Sequence, residues 1–199
     1  MPKHVARRKA VAQAIDQLRG LNLAERCERL GLPMPQNNVL AFRAFATDYE
    51  LSTTDFLLHV TNGRDAAKPE MHILVLHYLL HEALLAPSDN LISFREFPGG
   101  PFYHGPFRKR SVDMLAKRMG NDLECLRAHL DRFDWDPVDK GDLAARVHCI
   151  GPLHVTLVYH RGDEEFGPAA NLLFDQGFAQ AFDTEDAAVV ASKVCFGLL

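Results

Sequence analysis

Hydrophobic spacing divides the chain into helical and strand-like stretches that do not alternate strictly. Val11, Ile15 and Leu18 recur at helical intervals before Gly20. Leu23, Cys27 and Leu30 then form a second helical face, which Asn22 can cap with Glu25 three positions on. Gly31, Pro33 and Pro35 end that run. Residues 39–50 are strand-like, with Phe42, Phe45 and Tyr49. A polar stretch, Ser52 to Asp55, separates them from the short apolar run Phe56 to Val60 and a turn at Asn62-Gly63. That is the pattern of a hairpin.

Residues 70–85 are apolar almost all round, which predicts a buried helix. Val112, Leu115 and Met119 mark a helix ending at Gly120. Asn121 with Glu124 opens another that carries Leu123, Leu126 and Leu130. Residues 143–149 and 153–160 read as strands split by Gly151-Pro152. In the second, Leu153, Val155, Leu157 and Tyr159 alternate with His154, Thr156, Val158 and His160. Thr184 is placed to cap a terminal helix whose Glu185 and Asp186 suit the positive end of its dipole. This order predicts an α+β fold. A single domain over residues 36–199, with a mixed or antiparallel sheet packed by helices, follows a helical N-terminal extension over residues 1–35.

Two segments resist any period. The first runs from Ser93 to Phe107 and contains Arg95, Glu96, Pro98, Gly99, Gly100, Tyr103 and His104. The second runs from Arg161 to Pro168, contains Asp163, Glu164 and Glu165, and is followed by Asn171 to Asp175. Loops this rich in aromatic, charged, Gly and Pro residues need a scaffold to hold one shape, as binding loops do.

These segments also resemble the two signatures of a known family. Ile92-Ser93-Phe94-Arg95-Glu96 through Pro98-Gly99-Gly100 to Tyr103 is similar to one signature of the family called domain of unknown function 3786. Gly162-Asp163-Glu164-Glu165-Phe166, with Asn171 to Asp175 and Thr184-Glu185-Asp186, resembles the other. The resemblance spans roughly residues 50–195 and implies an uncharacterised protein of a family found mainly in anaerobic bacteria and archaea. Some members carry an N-terminal cysteine-rich iron–sulfur motif; this chain has basic helices there instead. The family supplies no catalytic residue to carry over.

Composition narrows the classes of function. The chain has 199 residues and a formal net charge of −4, so no global basic field favours nucleic acid. Its apolar runs fall short of a membrane span, since His77, His81 and Glu82 interrupt the longest one. With no apolar signal core after Met1, a cytoplasmic protein is expected. Residues 1–30 hold seven Lys/Arg against three acids, whereas residues 161–199 hold two against seven. The basic N-terminal helices therefore offer a face for a protein partner or a second copy of the chain. Cys27, Cys125, Cys149 and Cys195 form no close-spaced pair and read as buried free thiols.

The leading expectation is an accessory protein that binds a small anionic ligand or cofactor where the two segments converge. Arg95 would hold the anion, with Glu96, Tyr103, His104, Asp163, Glu164, Glu165 and Asp175 around it. The alternatives are an enzyme using a carboxylate and a histidine at the same segments, and a protein–protein interaction module. His77 and His81, four apart on the predicted buried helix, read as a polar stripe and no metal site is expected; they are the candidates if one ion is bound there, and the zincin order is absent. No nucleophile elbow and no cysteine–histidine pair stands out, and the sequence names no cofactor.

Overall fold

The computed structural model describes residues 3–61 and 66–199, with residues 3–7 as backbone only. The expected turn at Asn62-Gly63 lies outside the described residues. The elements run α1 (Lys3–Leu18), α2 (Leu23–Arg29), β1 (Val39–Ala44), β2 (Thr47–Ser52), β3 (Leu58–Val60) and α3 (Pro69–Leu80). Next come β4 (Leu91–Ser93), a 3-10 turn (Phe94–Glu96), α4 (Gly100–Arg110), α5 (Val112–Met119) and α6 (Leu123–Leu130). The chain closes with β5 (Trp135–Pro137), β6 (Leu143–Ile150), β7 (Leu153–His160), β8 (Ala169–Asp175), α7 (Phe178–Ala181) and α8 (Thr184–Gly197).

The strands form one antiparallel sheet in the order β3-β2-β1-β6-β7-β8-β4, with β5 also paired to β6. The fold is α+β, as its hydrophobic pattern predicts. In β1, Leu40, Phe42 and Ala44 are buried while Ala41 and Arg43 are exposed, the alternation of a strand with one face against the core. The helices supply the opposing wall. Leu74 and Leu79 of α3, Leu115 of α5 and Val190 and Val194 of α8 share a single apolar core with Val147, Leu157 and Phe174 of the sheet.

The N-terminal helices dock on this core. Ala14 and Leu18 of α1, with Cys27 and Leu30 of α2, are buried members of it. The two tight turns between strands are sterically demanding. Gly151, between β6 and β7, has φ 55°, and a Cβ there would lie 2.3 Å from the Tyr78 hydroxyl and 2.5 Å from the Leu30 carbonyl oxygen. The β1–β2 turn is harder to explain by propensity. Phe45 and Ala46 both adopt left-handed backbone, with φ 49° and 57°, where Asn-Gly is the favoured pair. Phe45 is nonetheless buried, and its N–H donates to the Cys149 carbonyl at 2.9 Å.

Three local expectations need correction. The buried helix stops at Leu80, where His81 is extended, instead of continuing to residue 85. Asp183, not Thr184, caps α8, its carboxylate accepting the Asp186 N–H at 2.8 Å. Asp122, not Asn121, caps α6, accepting the Cys125 N–H at 2.8 Å. In each pair of neighbours the carboxylate takes the cap, which frees the other side chain to tie distant segments together.

Candidate functional site

The first non-periodic segment is largely helical. Ser93 and Glu96 close a reciprocal capping box, the Ser93 N–H donating to Glu96 Oε1 at 2.6 Å. That bond holds the Glu96 carboxyl below its ordinary range. The chain then turns through Gly99, at φ 74°, into α4. A Cβ on Gly100 would stand 2.1 Å from the Phe94 carbonyl oxygen, so only glycine lets α4 begin against the 3-10 turn. Pro101 occupies the first turn of α4, where a missing N–H costs nothing.

This geometry sends the aromatics in two directions. Phe94, Phe97 and Phe107 are buried around Phe174 of β8: Phe94 stacks on Phe107 with centroids 3.9 Å apart, and Phe97 meets Phe174 edge-on at 5.1 Å. Phe102 and Tyr103, also on α4, are instead 89% and 63% exposed. Between them in function, the Arg95 Nε–H donates to His104 Nδ1 at 3.3 Å. Partial burial, then the Arg95 and Arg108 charges, keep the His104 imidazole below its ordinary pKa.

The second segment behaves differently. The Asp163 carboxylate accepts the N–H groups of Phe166 at 2.7 Å and Glu165 at 2.9 Å, forming a local turn that holds its pKa down. Asn121 clamps the segment from outside, accepting the Gly162 N–H at 2.7 Å and donating to the Gly162 carbonyl at 3.0 Å. Glu164, Glu165 and Phe166 are exposed. No hydrogen bond, ion pair or ring contact among the described residues joins Arg95 or its segment to residues 161–168. The strand half of the second signature does meet the first, through Phe174 and the pairing of Ser93 with Leu173. Asp175 points to the other face of the sheet from Phe174. There, 1% exposed, it accepts the His154 N–H at 2.9 Å and lies 3.6 Å from Arg146; its Oδ1 has no hydrogen-bond partner.

The candidate metal ligands are separated by the end of α3. His77 pairs with Asp186 of α8 at 2.8 Å, and that carboxylate raises its pKa. His81 lies beyond the helix, and burial lowers its pKa. The shared helical face that would have let both bind one ion does not exist.

A concave feature lies where α3, α4 and α8 meet. It is a cleft of about 950 Å³, and Tyr103 is the one residue of the predicted set that lines it. Its walls are apolar: Met71 and Leu74 from α3, Phe94 and Phe107 from the first segment, and Ala188 and Val189 from α8. Lys68, Arg110 and Lys193 bring three cations to it against the acids Glu70 and Glu185.

Lys193 is the unusual member. It is half-buried, and no carboxylate among the described residues stands within ion-pair distance of it. Its Nζ lies 5.1 Å from the centroid of the Phe45 ring, the ring that the left-handed β1–β2 turn carries. Burial, then the Lys68 charge, lowers its pKa. The opening of the cleft is braced by the Thr184 hydroxyl, which donates to the Pro98 carbonyl at 2.6 Å and ties α8 to the first segment.

Sequence reasoning passed over Lys193, Lys68 and Arg110. The available signal was Lys193 itself, the one cation of the terminal helix, with Val189, Val190 and Phe196 one turn to either side.

An α+β protein with one antiparallel sheet and a cationic, apolar-walled cleft on its helical face is the class that this geometry defines. The profile of the family described as domain of unknown function (DUF3786) matches residues 22–196, and the chain belongs to that family. No curated protein and no solved structure matches it.

Proposed function

We propose that this protein binds a small amphipathic anion in the cleft between α3, α4 and α8. The observation that carries the reading is Lys193, an ammonium held half out of water with no carboxylate partner among the described residues. Desolvating an unpaired charge opposes folding, and such groups persist where function needs them. A bound carboxylate or phosphate would neutralise Lys193, with Lys68 and Arg110 adding attraction at the rim. An apolar body would lie against Met71, Leu74 and Val189, and the Tyr103 hydroxyl would close the mouth.

The anion expected from the sequence is retained, and its anchor moves from Arg95 to Lys193. Arg95 is engaged with His104, and the acids at 163–165 are turned to solvent. An acid–base pair of Glu96 with His104 has no geometric support, because Glu96 is spent on Ser93 and His104 on Arg95. A partner face on the N-terminal helices loses Ala14 and Leu18, which are buried in the core.

Calorimetric titration with decanoate, and with decyltrimethylammonium as its cationic counterpart, tests the proposal. Decanoate is expected to bind and the cation not, and Lys193→Met should weaken decanoate by about tenfold or more, one lost charged contact being worth at least 1.4 kcal/mol. Equal binding of the two amphiphiles, or undiminished binding to the variant, would overturn it.

A further inference from the structure

Three of the four cysteines are fully buried, and burial pushes Cys27 up to about 11 and Cys195 up to about 12, so these thiols are inert. Cys125 is different. It is half-buried on α6, with His129 one turn further along the same face. Its Sγ lies 3.8 Å from His129 Nε2.

The far side of the imidazole fixes what that nitrogen can do. His129 Nδ1 lies 2.8 Å from the Leu198 carbonyl oxygen, which can only accept, so Nδ1 carries the hydrogen. The Nε2 lone pair is left facing the thiol. Leu198 is itself buried at the end of α8, and Arg132 donates to the adjoining Gly197 carbonyl at 3.3 Å, so the carbonyl that sets the tautomer is held in place. Nucleophile, base and orienting group therefore stand in the order that activates a thiol. The nearby Asp122 carboxylate is occupied by the Cys125 N–H.

We infer that Cys125 is a reactive thiol that undergoes exchange with small disulfides, with His129 as its proton acceptor. The Cys125 proton passes to His129 Nε2, and the thiolate attacks one sulfur of the disulfide. A bond forms between Cys125 Sγ and that sulfur while the original S–S bond breaks. The departing half leaves as a thiolate and takes the proton back from His129. Cys125 is thereby oxidised to the mixed disulfide, and the second half of the disulfide is reduced to a thiol.

The test uses the full chain and the uncharged disulfide 2,2′-dithiodipyridine, following thiopyridone release and mapping the adduct by mass spectrometry. One fast equivalent is expected on Cys125, at least tenfold faster than glutathione under the same conditions, with the other three thiols reacting only on unfolding. His129→Ala should slow that phase by about tenfold or more, and added imidazole should restore part of the rate. A merely structural histidine would give no such rescue. A Cys125 rate no faster than glutathione in the wild-type protein would overturn the inference even if the variant failed to fold. So would a folded His129→Ala protein that reacts at the wild-type rate, or one whose lost rate imidazole leaves unchanged.

Discussion

The two non-periodic segments look alike in composition and are used in opposite ways. Residues 93–107 turn three phenylalanines inward onto Phe174 and become a capped helix, the wall between the sheet and the cleft. Residues 161–168 keep their acids in solvent and hold shape through one aspartate and one clamping asparagine. Aromatic and glycine content therefore marks an architectural segment where the aromatics recur at a spacing that one face can bury. It marks a surface turn where a short polar side chain can satisfy the backbone locally.

The contrast is sharpest in stability. Phe97→Ala should cost about 3–5 kcal/mol, since it empties a packed aromatic site. Gly100→Ala should cost about 3 kcal/mol or more, because a Cβ at 2.1 Å from the Phe94 carbonyl oxygen forces α4 off the 3-10 turn. Chemical denaturation of both variants measures this; losses under 1 kcal/mol would mean that the first segment is as loosely held as the second.

The first segment leans on α8, which His77 secures through Asp186. The folded pKa of His77 is raised, so its contribution is complete below the unfolded value of about 6.5 and is lost as pH rises through the folded value. Melting temperatures of wild type and His77→Gln should therefore differ most near pH 5.5 and converge above neutrality. A gap that stays constant with pH would remove the ion pair from the account. His81 and His148, whose pKa values burial lowers, act in the opposite sense and favour unfolding as pH falls through the unfolded value.

Effects in the second segment should be smaller. Asn121→Ala removes both clamps on Gly162 and should cost about 1 kcal/mol, as exposed hydrogen bonds do. Glu164→Ala should change stability by less than about 0.5 kcal/mol and leave decanoate affinity unaltered. A marked loss of affinity there would restore the acids to the site.

The fold was more legible in the sequence than the site. Period-2 alternation in β7 and helical spacing in α5 and α6 are local signals, and the structure places a strand and two helices there, although Thr156 and Val158 bury the second face of β7 as well. The first segment read as loop because its glycines and prolines are usual breakers. Here Pro101 lies in the first turn of a helix and Gly99 just outside it, positions that both residues favour. Caps were displaced by one residue because Asp122 and Asp183 outcompete their neighbours. The cleft could not be read at all. It depends on α3 and α4 meeting α8, which lies more than seventy residues further along the chain, and its Lys193 rests on Phe45, whose left-handed backbone contradicts local propensity. The pairing of Cys125 with His129 was available at its spacing of four, and only the Leu198 carbonyl reveals its tautomer.

Lys193 is where the stability and binding arguments meet. Its depressed pKa means that the folded state resists the charge, so stability should climb as pH rises from the folded value toward about 10.5, and Lys193→Met should abolish that climb and raise the melting temperature near neutrality. The direct measurement is NMR of lysines labelled with ¹³C at Cε, recorded across pH with and without decanoate. The Lys193 resonance should titrate below the other lysines, shift saturably with decanoate, and move its midpoint upward when the anion is bound. Decanoate binding that leaves the Lys193 resonance and midpoint unchanged would contradict the assignment of the cleft as the anion site.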